Sequence, residues 1–169
     1  VFAAGNEYAG NPAFPGAYSK CVCVASVAAD YTPACYTDYG TLVTLSAPGG
    51  DLEYYGKIGE EEDEYWAETA EQKGAVLSTL IQNGKPAYGY MEGTSMACPH
   101  VSGVAALGLA YAVKQHRHYR AADFVSLMKK AVKDLDGYYG NGATKIYYMN
   151  HTTVGASPEI VNLSKYIGK

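Results

Sequence analysis

The residues with the clearest capacity for chemistry lie in one segment, Gly93-Thr94-Ser95-Met96-Ala97-Cys98-Pro99-His100-Val101-Ser102-Gly103. Ser95 stands at the predicted start of a helix, where backbone N–H groups are unpaired and the helix dipole is positive. An oxyanion that forms on a substrate bound to Ser95 would be stabilised there, and Gly93 would let the chain approach a ligand closely. A serine at the start of a helix is more often an ordinary cap. The residue type alone therefore allows nucleophilic catalysis without establishing it.

Several predicted strands must position this segment. Residues 1–4 are typical of the end of a buried strand, so the chain is expected to be a piece of a longer protein. Residues 21–27 are small or β-branched throughout, which is typical of a strand buried on both faces of a parallel sheet. Residues 41–45 predict a further strand, which Pro48-Gly49-Gly50 stops, and residues 74–80 predict another.

Two helices are predicted after these strands. Residues 95–114 are apolar nearly all round, so this helix should be buried at the centre of the fold, with Thr94 as its cap. Residues 121–135 place apolar side chains at amphipathic spacing, so the second helix should pack on one side and face water on the other. Strands mixed with helices in this order predict an α/β layer architecture.

Composition excludes several classes of function. The chain has 169 residues and a net charge of −4, from 13 Lys and Arg against 17 Asp and Glu, which argues against a nucleic-acid binder. No apolar run approaches the roughly 18 residues that span a bilayer, so no transmembrane segment is expected. The four cysteines form no Cys-x-x-Cys pair, which argues against a zinc site, and Cys21 and Cys23 are expected to be buried thiols. The acidic run 60–64 fits a solvated loop better than a calcium site.

The segment around Ser95 resembles the nucleophile motif of the subtilisin-like serine peptidases, the subtilase family. Ala3-Ala4-Gly5-Asn6-Glu7 is similar to the family segment whose Asn side chain completes the oxyanion hole. Ser46-Ala47-Pro48-Gly49 resembles a strand end of the family, and Phe14-Pro15-Gly16-Ala17-Tyr18 also matches. The resemblance covers roughly residues 1–136, with the motifs in the family's order, which makes chance agreement improbable.

The resemblance implies roles for individual residues. Ser95 would be the nucleophile that carries an acyl-enzyme, and Asn6 would complete the oxyanion hole together with the backbone N–H of Ser95. The Glu7 carboxylate would lie near the floor of the primary specificity pocket, where it could favour a basic or polar side chain. The residues expected to contact a polypeptide substrate are Gly5, Glu7, Gly93 and Thr94.

The resemblance also implies what the chain lacks. In the family's order the catalytic Asp and His precede Ser, and neither motif occurs in residues 1–169. We therefore expect the C-terminal portion of a single catalytic domain: part of a three-layer fold, with a mostly parallel sheet flanked by helices and the N-terminal strands missing. No histidine of the chain is expected to replace the base, neither His100, His116, His118 nor His151. Alone, this portion should be inactive.

The remaining expectations concern partners and surroundings. The missing N-terminal half is the expected partner, and exposed strand edges should favour self-association. No cofactor or metal is expected in this chain, although the full-length enzyme could bind calcium. The resemblance to the family implies that the protein is secreted or exposed at the cell surface. Residues 143–157 depart from the family pattern, and Asn150-His151-Thr152 is a glycosylation sequon. The alternative function is a catalytically dead, subtilase-like interaction module, which upstream Asp and His motifs would exclude.

Overall fold

A computed structural model describes residues 1–29, 31–52, 74–133, 135 and 166–167. Its strands are β1 (Phe2–Ala3), β2 (Cys23–Val27), β3 (Leu45–Pro48), β4 (Val76–Gln82) and β5 (Lys85–Met91), and its helices are α1 (Thr94–Lys114) and α2 (Ala121–Lys130). The predictions for the acidic run 60–64, for residues 143–157, and for the sequon with His151 lie outside the described residues.

The strands β1, β2 and β3 form a parallel sheet with β2 in the middle. Every residue of β2 is buried, as its sequence predicts. Val22 and Val24 join the cluster under the helices, whereas Cys23 and Ala25 join a second cluster on the opposite face of the sheet. Both Cys21 and Cys23 are free thiols, and burial raises the pKa of Cys23 to about 11. Cys21 is only half-buried, in contrast to the prediction. The α/β fold class predicted from the sequence is confirmed.

The strand β3 begins later than predicted. Residues 41–45 were expected to be extended, but β3 starts at Leu45 and runs through Pro48. At the entry to the strand, the Thr44 hydroxyl accepts the N–H of Cys23 at 3.0 Å, and Thr44 N–H donates to the Cys23 carbonyl at 2.9 Å. Pro48 is tolerated because it is the last residue of the strand, where it pairs with Val27. The next residue, Gly49, therefore lies beside the nucleophile segment.

The strands β4 and β5 form a separate antiparallel hairpin. The sequence predicts the first of them, as residues 74–80, and does not predict β5. Asn83 and Gly84 connect the strands with φ values of 51° and 74°. Two successive residues with positive φ define a type I′ turn, for which Asn-Gly is the preferred sequence. The hairpin leads directly into the loop before α1.

The helix α1 packs on all three strands of the parallel sheet. Its inner face is formed by Thr94, Ala97, Val101, Gly108 and Ala112. Its outer face is apolar but exposed, in contrast to the burial all round that the sequence predicts. By length and composition α1 could cross a membrane, with a mean hydropathy of 1.4 over 18 residues, although core helices of globular proteins meet the same criterion.

The helix α2 is amphipathic, as predicted, but shorter than residues 121–135. It ends at Lys130, and its buried side chains are Phe124 and Met128. These side chains join the same core cluster as Val24 and Leu45. The helix therefore contributes to the core that it shares with the sheet and α1.

Candidate active site

Ser95 is the second residue of α1, and its side chain is exposed. Gly93 precedes the helix with a φ of 141°, which residues with a Cβ rarely adopt. Its carbonyl accepts the N–H groups of Met96 at 2.9 Å and Ala97 at 3.2 Å, and the N–H of Thr94 donates to a side chain. Ser95 N–H is therefore the donor in this turn that has no partner among the described residues.

Asn6 lies directly beside the start of α1, at the end of β1. Its Oδ1 accepts two hydrogen bonds from Thr94, from the N–H at 2.9 Å and from the hydroxyl at 2.8 Å. The amide oxygen is thus fully used, which fixes the orientation of the amide group. Nδ2 has no partner in the described part of the chain, so it is available to donate.

The two unpaired donors border one space next to Gly93. A Cβ on Gly93 would lie 3.6 Å from Asn6 Nδ2 and 3.7 Å from Ser95 N. Both donor nitrogen atoms therefore lie within 3.7 Å of one point, on the side of Gly93 that carries no side chain. The structure therefore brings Asn6 next to Gly93, Thr94 and Ser95, which lie 87 or more residues later in the sequence. The sequence analysis predicts that these four residues belong to one site.

Gly93 is held by a network that the sequence does not predict. Its N–H donates to the Gly49 carbonyl at 2.9 Å. The Tyr36 hydroxyl bonds the carbonyls of Gly49 at 3.0 Å and Gly50 at 2.7 Å, and it lies 2.8 Å from Ser26 Oγ. Burial raises the pKa of Tyr36, so the phenol remains a neutral donor. The end of β3 thereby fixes the loop before the nucleophile.

Glu7 and Asp38 form a second support, under Asn6. Glu7 Oε2 accepts the N–H of Asn6 at 2.8 Å, and Asp38 Oδ1 accepts the N–H groups of Glu7 at 3.0 Å and Ala9 at 2.8 Å. Burial raises the pKa of Asp38, with the charge of Glu7 acting in the same direction. The sequence does not single out Asp38, and its one signal is a polar pair, Thr37-Asp38, between two buried strands.

No hydrogen bond joins Ser95 to any of the histidines that the structure describes. His100 Nδ1 lies 2.8 Å from the Met96 carbonyl, one turn back on the same helix. His116 and His118 are exposed beyond the end of α1. Within the described ranges there is also no cluster of three His, Cys, Asp or Glu side chains that could hold a metal ion.

An open groove of about 300 Å³ lies between the hairpin and the first turns of α1. Its lining is mainly apolar and comes from Val76, Leu77, Ser78, Met96, Pro99 and His100. The hairpin therefore forms one wall of a depression beside the nucleophile segment.

Comparison with known proteins shows the family to which the chain belongs. The model of the subtilase family matches residues 1–142. Halolysin from Haloferax mediterranei is 36% identical over 110 residues, which are 65% of this chain and 16% of halolysin. Thermitase from Thermoactinomyces vulgaris is 30% identical over 147 residues, which are 87% of this chain and 42% of thermitase. Relatives from Natrialba magadii and Serratia marcescens are named as extracellular serine proteases.

The fold agrees with these sequence relationships. A solved protease structure from Pseudoalteromonas arctica has a TM-score of 0.68 and 27% identity, and the match covers 98% of this chain and 42% of that one. The described residues thus belong to a subtilisin-like α/β protease fold, of which the chain is a part. The chain is a member of the subtilase family. It spans less than half the length of each relative named here.

Proposed function

We propose that the protein is a serine endopeptidase, and that this chain supplies its nucleophile, Ser95, and its oxyanion hole. The observation that carries the proposal is the pair of unpaired donors, Ser95 N–H and Asn6 Nδ2, on one space next to Gly93. Acyl transfer needs donors that are in place before negative charge develops on the carbonyl oxygen. Membership of the subtilase family supports the same reaction.

In the proposed reaction, Ser95 Oγ attacks the carbonyl carbon of a peptide bond while a histidine takes the hydroxyl proton. The carbonyl oxygen becomes an oxyanion and accepts hydrogen bonds from Ser95 N–H and Asn6 Nδ2. The C–N bond then breaks, the histidine gives its proton to the leaving amine, and an acyl-enzyme remains on Ser95. Water attacks the ester in the same way and restores the hydroxyl. These steps use protein groups only, so we propose no cofactor for them.

We further propose that the histidine and its orienting Asp come from sequence upstream of Asn6 in the full-length protein. The subtilisin order, Asp then His then Ser, supports this position. The exposed apolar face of α1 supports it too, because that face needs a covering segment. On this proposal residues 1–169 are the C-terminal part of one catalytic domain, inactive and self-associating when alone. The names of the extracellular relatives support a secreted or cell-surface protein.

Fluorophosphonate labelling tests the proposal. We expect the full-length protein to be labelled on Ser95 and to hydrolyse a peptide substrate, and the Ser95→Ala variant to do neither. Asn6→Ala should lower kcat by about 100- to 1000-fold, the range known for loss of one oxyanion donor, to which subtilisin itself contributed. The 169-residue chain alone should remain unlabelled.

Two outcomes would contradict parts of this proposal. Labelling of the chain alone would mean that a local group activates Ser95, so the base would not lie upstream. A folded full-length protein that is neither labelled nor active would favour a catalytically dead interaction module.

A further inference from the structure

We propose that Asp38 is a positioning residue for the oxyanion hole, and that it acts as half of a carboxyl pair with Glu7 that shares one proton. Asp38 lies between β2 and β3, against the loop of residues 5–9 that presents Asn6. The effect of Asp38 on catalysis rests on the proposed function. Its effect on the conformation of the loop does not, so the two effects can be tested separately.

Asp38 anchors this loop at three backbone groups. Its side chain is 1% exposed, and Oδ1 accepts the N–H groups of Glu7 at 3.0 Å and Ala9 at 2.8 Å. The N–H of Asp38 donates to the Gly5 carbonyl at 3.0 Å. Asn6 lies between the anchored residues, so the position of its backbone follows from Asp38.

Glu7 closes the loop through its own side chain. Glu7 Oε2 accepts the N–H of Asn6 at 2.8 Å, and the Glu7 and Asp38 carboxyl groups both lie next to Gly5. A Cβ on Gly5 would collide with both carboxyl groups, so the pair converges where the glycine leaves room. Two carboxyl groups can form a hydrogen bond only when one of them carries a proton.

The environment of Asp38 favours that proton. Burial raises the pKa of Asp38 above its ordinary value of 3.8, and Glu7 adds to the shift, while the N–H groups of Ala9 and Glu7 oppose it. The Cys23 thiol on β2 also interacts with Asp38, and its pKa of about 11 keeps it neutral at physiological pH. The folded state therefore binds the proton more tightly than the unfolded chain. The stabilisation is complete below pH 3.8 and is lost as the pH rises through the raised pKa.

Loss of the shared proton has a defined effect on the site. It leaves two negative charges side by side, one of them buried, and their repulsion loosens the loop. Asn6 Nδ2 then leaves its place beside Gly93. Because this donor acts on charge that develops in the transition state, kcat should fall as the pH rises through the raised pKa of Asp38, while KM is retained.

The test uses the full-length protein with two substitutions at one position. Asp38→Ala removes the acceptor, so hydrogen exchange at the amides of Glu7 and Ala9 should accelerate about tenfold or more, and kcat should fall by a similar factor with KM retained. Asp38→Asn keeps an acceptor of the same shape but cannot share a proton. It should restore most of the exchange protection and of kcat, and remove this inflection. Glu7→Gln removes the neighbouring charge and should move the inflection to lower pH, because Glu7 adds to the raised pKa of Asp38.

A matched control is Asp51, a second buried aspartate, whose carboxylate accepts the N–H of Cys35 at 2.7 Å, away from the oxyanion loop. Asp51→Asn should change neither the inflection nor the exchange of Glu7 and Ala9. The proposal is overturned if Asp38→Ala leaves this exchange unchanged, if the inflection persists in Asp38→Asn, or if Glu7→Gln does not move it. A protein without hydrolytic activity would refute the proposed function, and the exchange data would still decide the role of Asp38.

Discussion

Thr94 determines which way the Asn6 amide faces. Its N–H and its hydroxyl both donate to Asn6 Oδ1, at 2.9 and 2.8 Å, and the hydroxyl oxygen accepts the N–H of Gly5 at 3.3 Å. The Thr94 side chain is buried, so water does not compete for these bonds. One residue at the start of α1 therefore aligns the amide next to the nucleophile, and its hydroxyl is used twice.

Replacement of this hydroxyl should be measurable in the full-length protein. We expect Thr94→Val to lower kcat by about 2- to 13-fold, the equivalent of about 0.5–1.5 kcal/mol for one hydrogen bond, because Asn6 loses one of its two constraints. Thr94→Ser keeps the hydroxyl and serves as the matched control, with a much smaller loss. Steady-state kinetics on a chromogenic peptide separate the two variants. Equal losses in both, or an effect on KM alone, would contradict this role.

The end of β3 and the start of α1 are joined by a close contact between their backbones. Gly49 accepts the N–H of Gly93 at 2.9 Å, and Tyr36 bonds the same carbonyl from the other side. A Cβ on Gly49 would stand 2.6 Å from the Gly93 carbonyl oxygen and would collide with Ser26 Oγ. The parallel sheet and the nucleophile helix can therefore meet in this way only with a glycine at position 49.

We expect Gly49→Ala to destabilise the full-length protein by about 1–3 kcal/mol, the usual cost of overpacking, and to impair fluorophosphonate labelling of Ser95. Gly10→Ala is the control, because a Cβ there would make an ordinary contact 3.6 Å from the Tyr39 ring. It should change the free energy of unfolding by less than about 0.5 kcal/mol. Urea unfolding measures both. Similar values for the two variants would refute the steric argument.

These elements differ in how far sequence reasoning can predict them. β2 and the start of α1 are predictable, because a continuous apolar run and a glycine before a small-residue helix are local signals. β5 is equally local, and the Asn83-Gly84 turn should have indicated it. The support of Asn6 by Asp38 is different, since it joins residues 31 positions apart through backbone N–H groups. Nothing in the local sequence of either segment specifies that contact, and the fold alone creates it.

The outer face of α1 is apolar and exposed to solvent. Leu107 is 58% exposed and Val113 61%, on a helix whose other face packs on the parallel sheet. A contiguous apolar face is unusual at the surface of a monomer. The chain also covers only 42% of thermitase, so most of the relative's length has no counterpart here. Both observations support a covering segment that belongs to the full-length protein.

Introducing a charge at Leu107 tests whether another segment covers the outer face of α1. In the 169-residue chain alone, Leu107→Lys should leave the free energy of unfolding nearly unchanged and reduce self-association, because the side chain is already exposed. In the full-length protein it should destabilise by about 1.5–3 kcal/mol or more, since it replaces a buried leucine with a charge. Ile81→Lys, at a position 71% exposed in the hairpin, is the matched control and should be neutral in both proteins. Urea unfolding and sedimentation velocity measure the two effects. If Leu107→Lys is neutral in both proteins, the outer face of α1 is not covered, and the position proposed for the Asp and His segment is wrong.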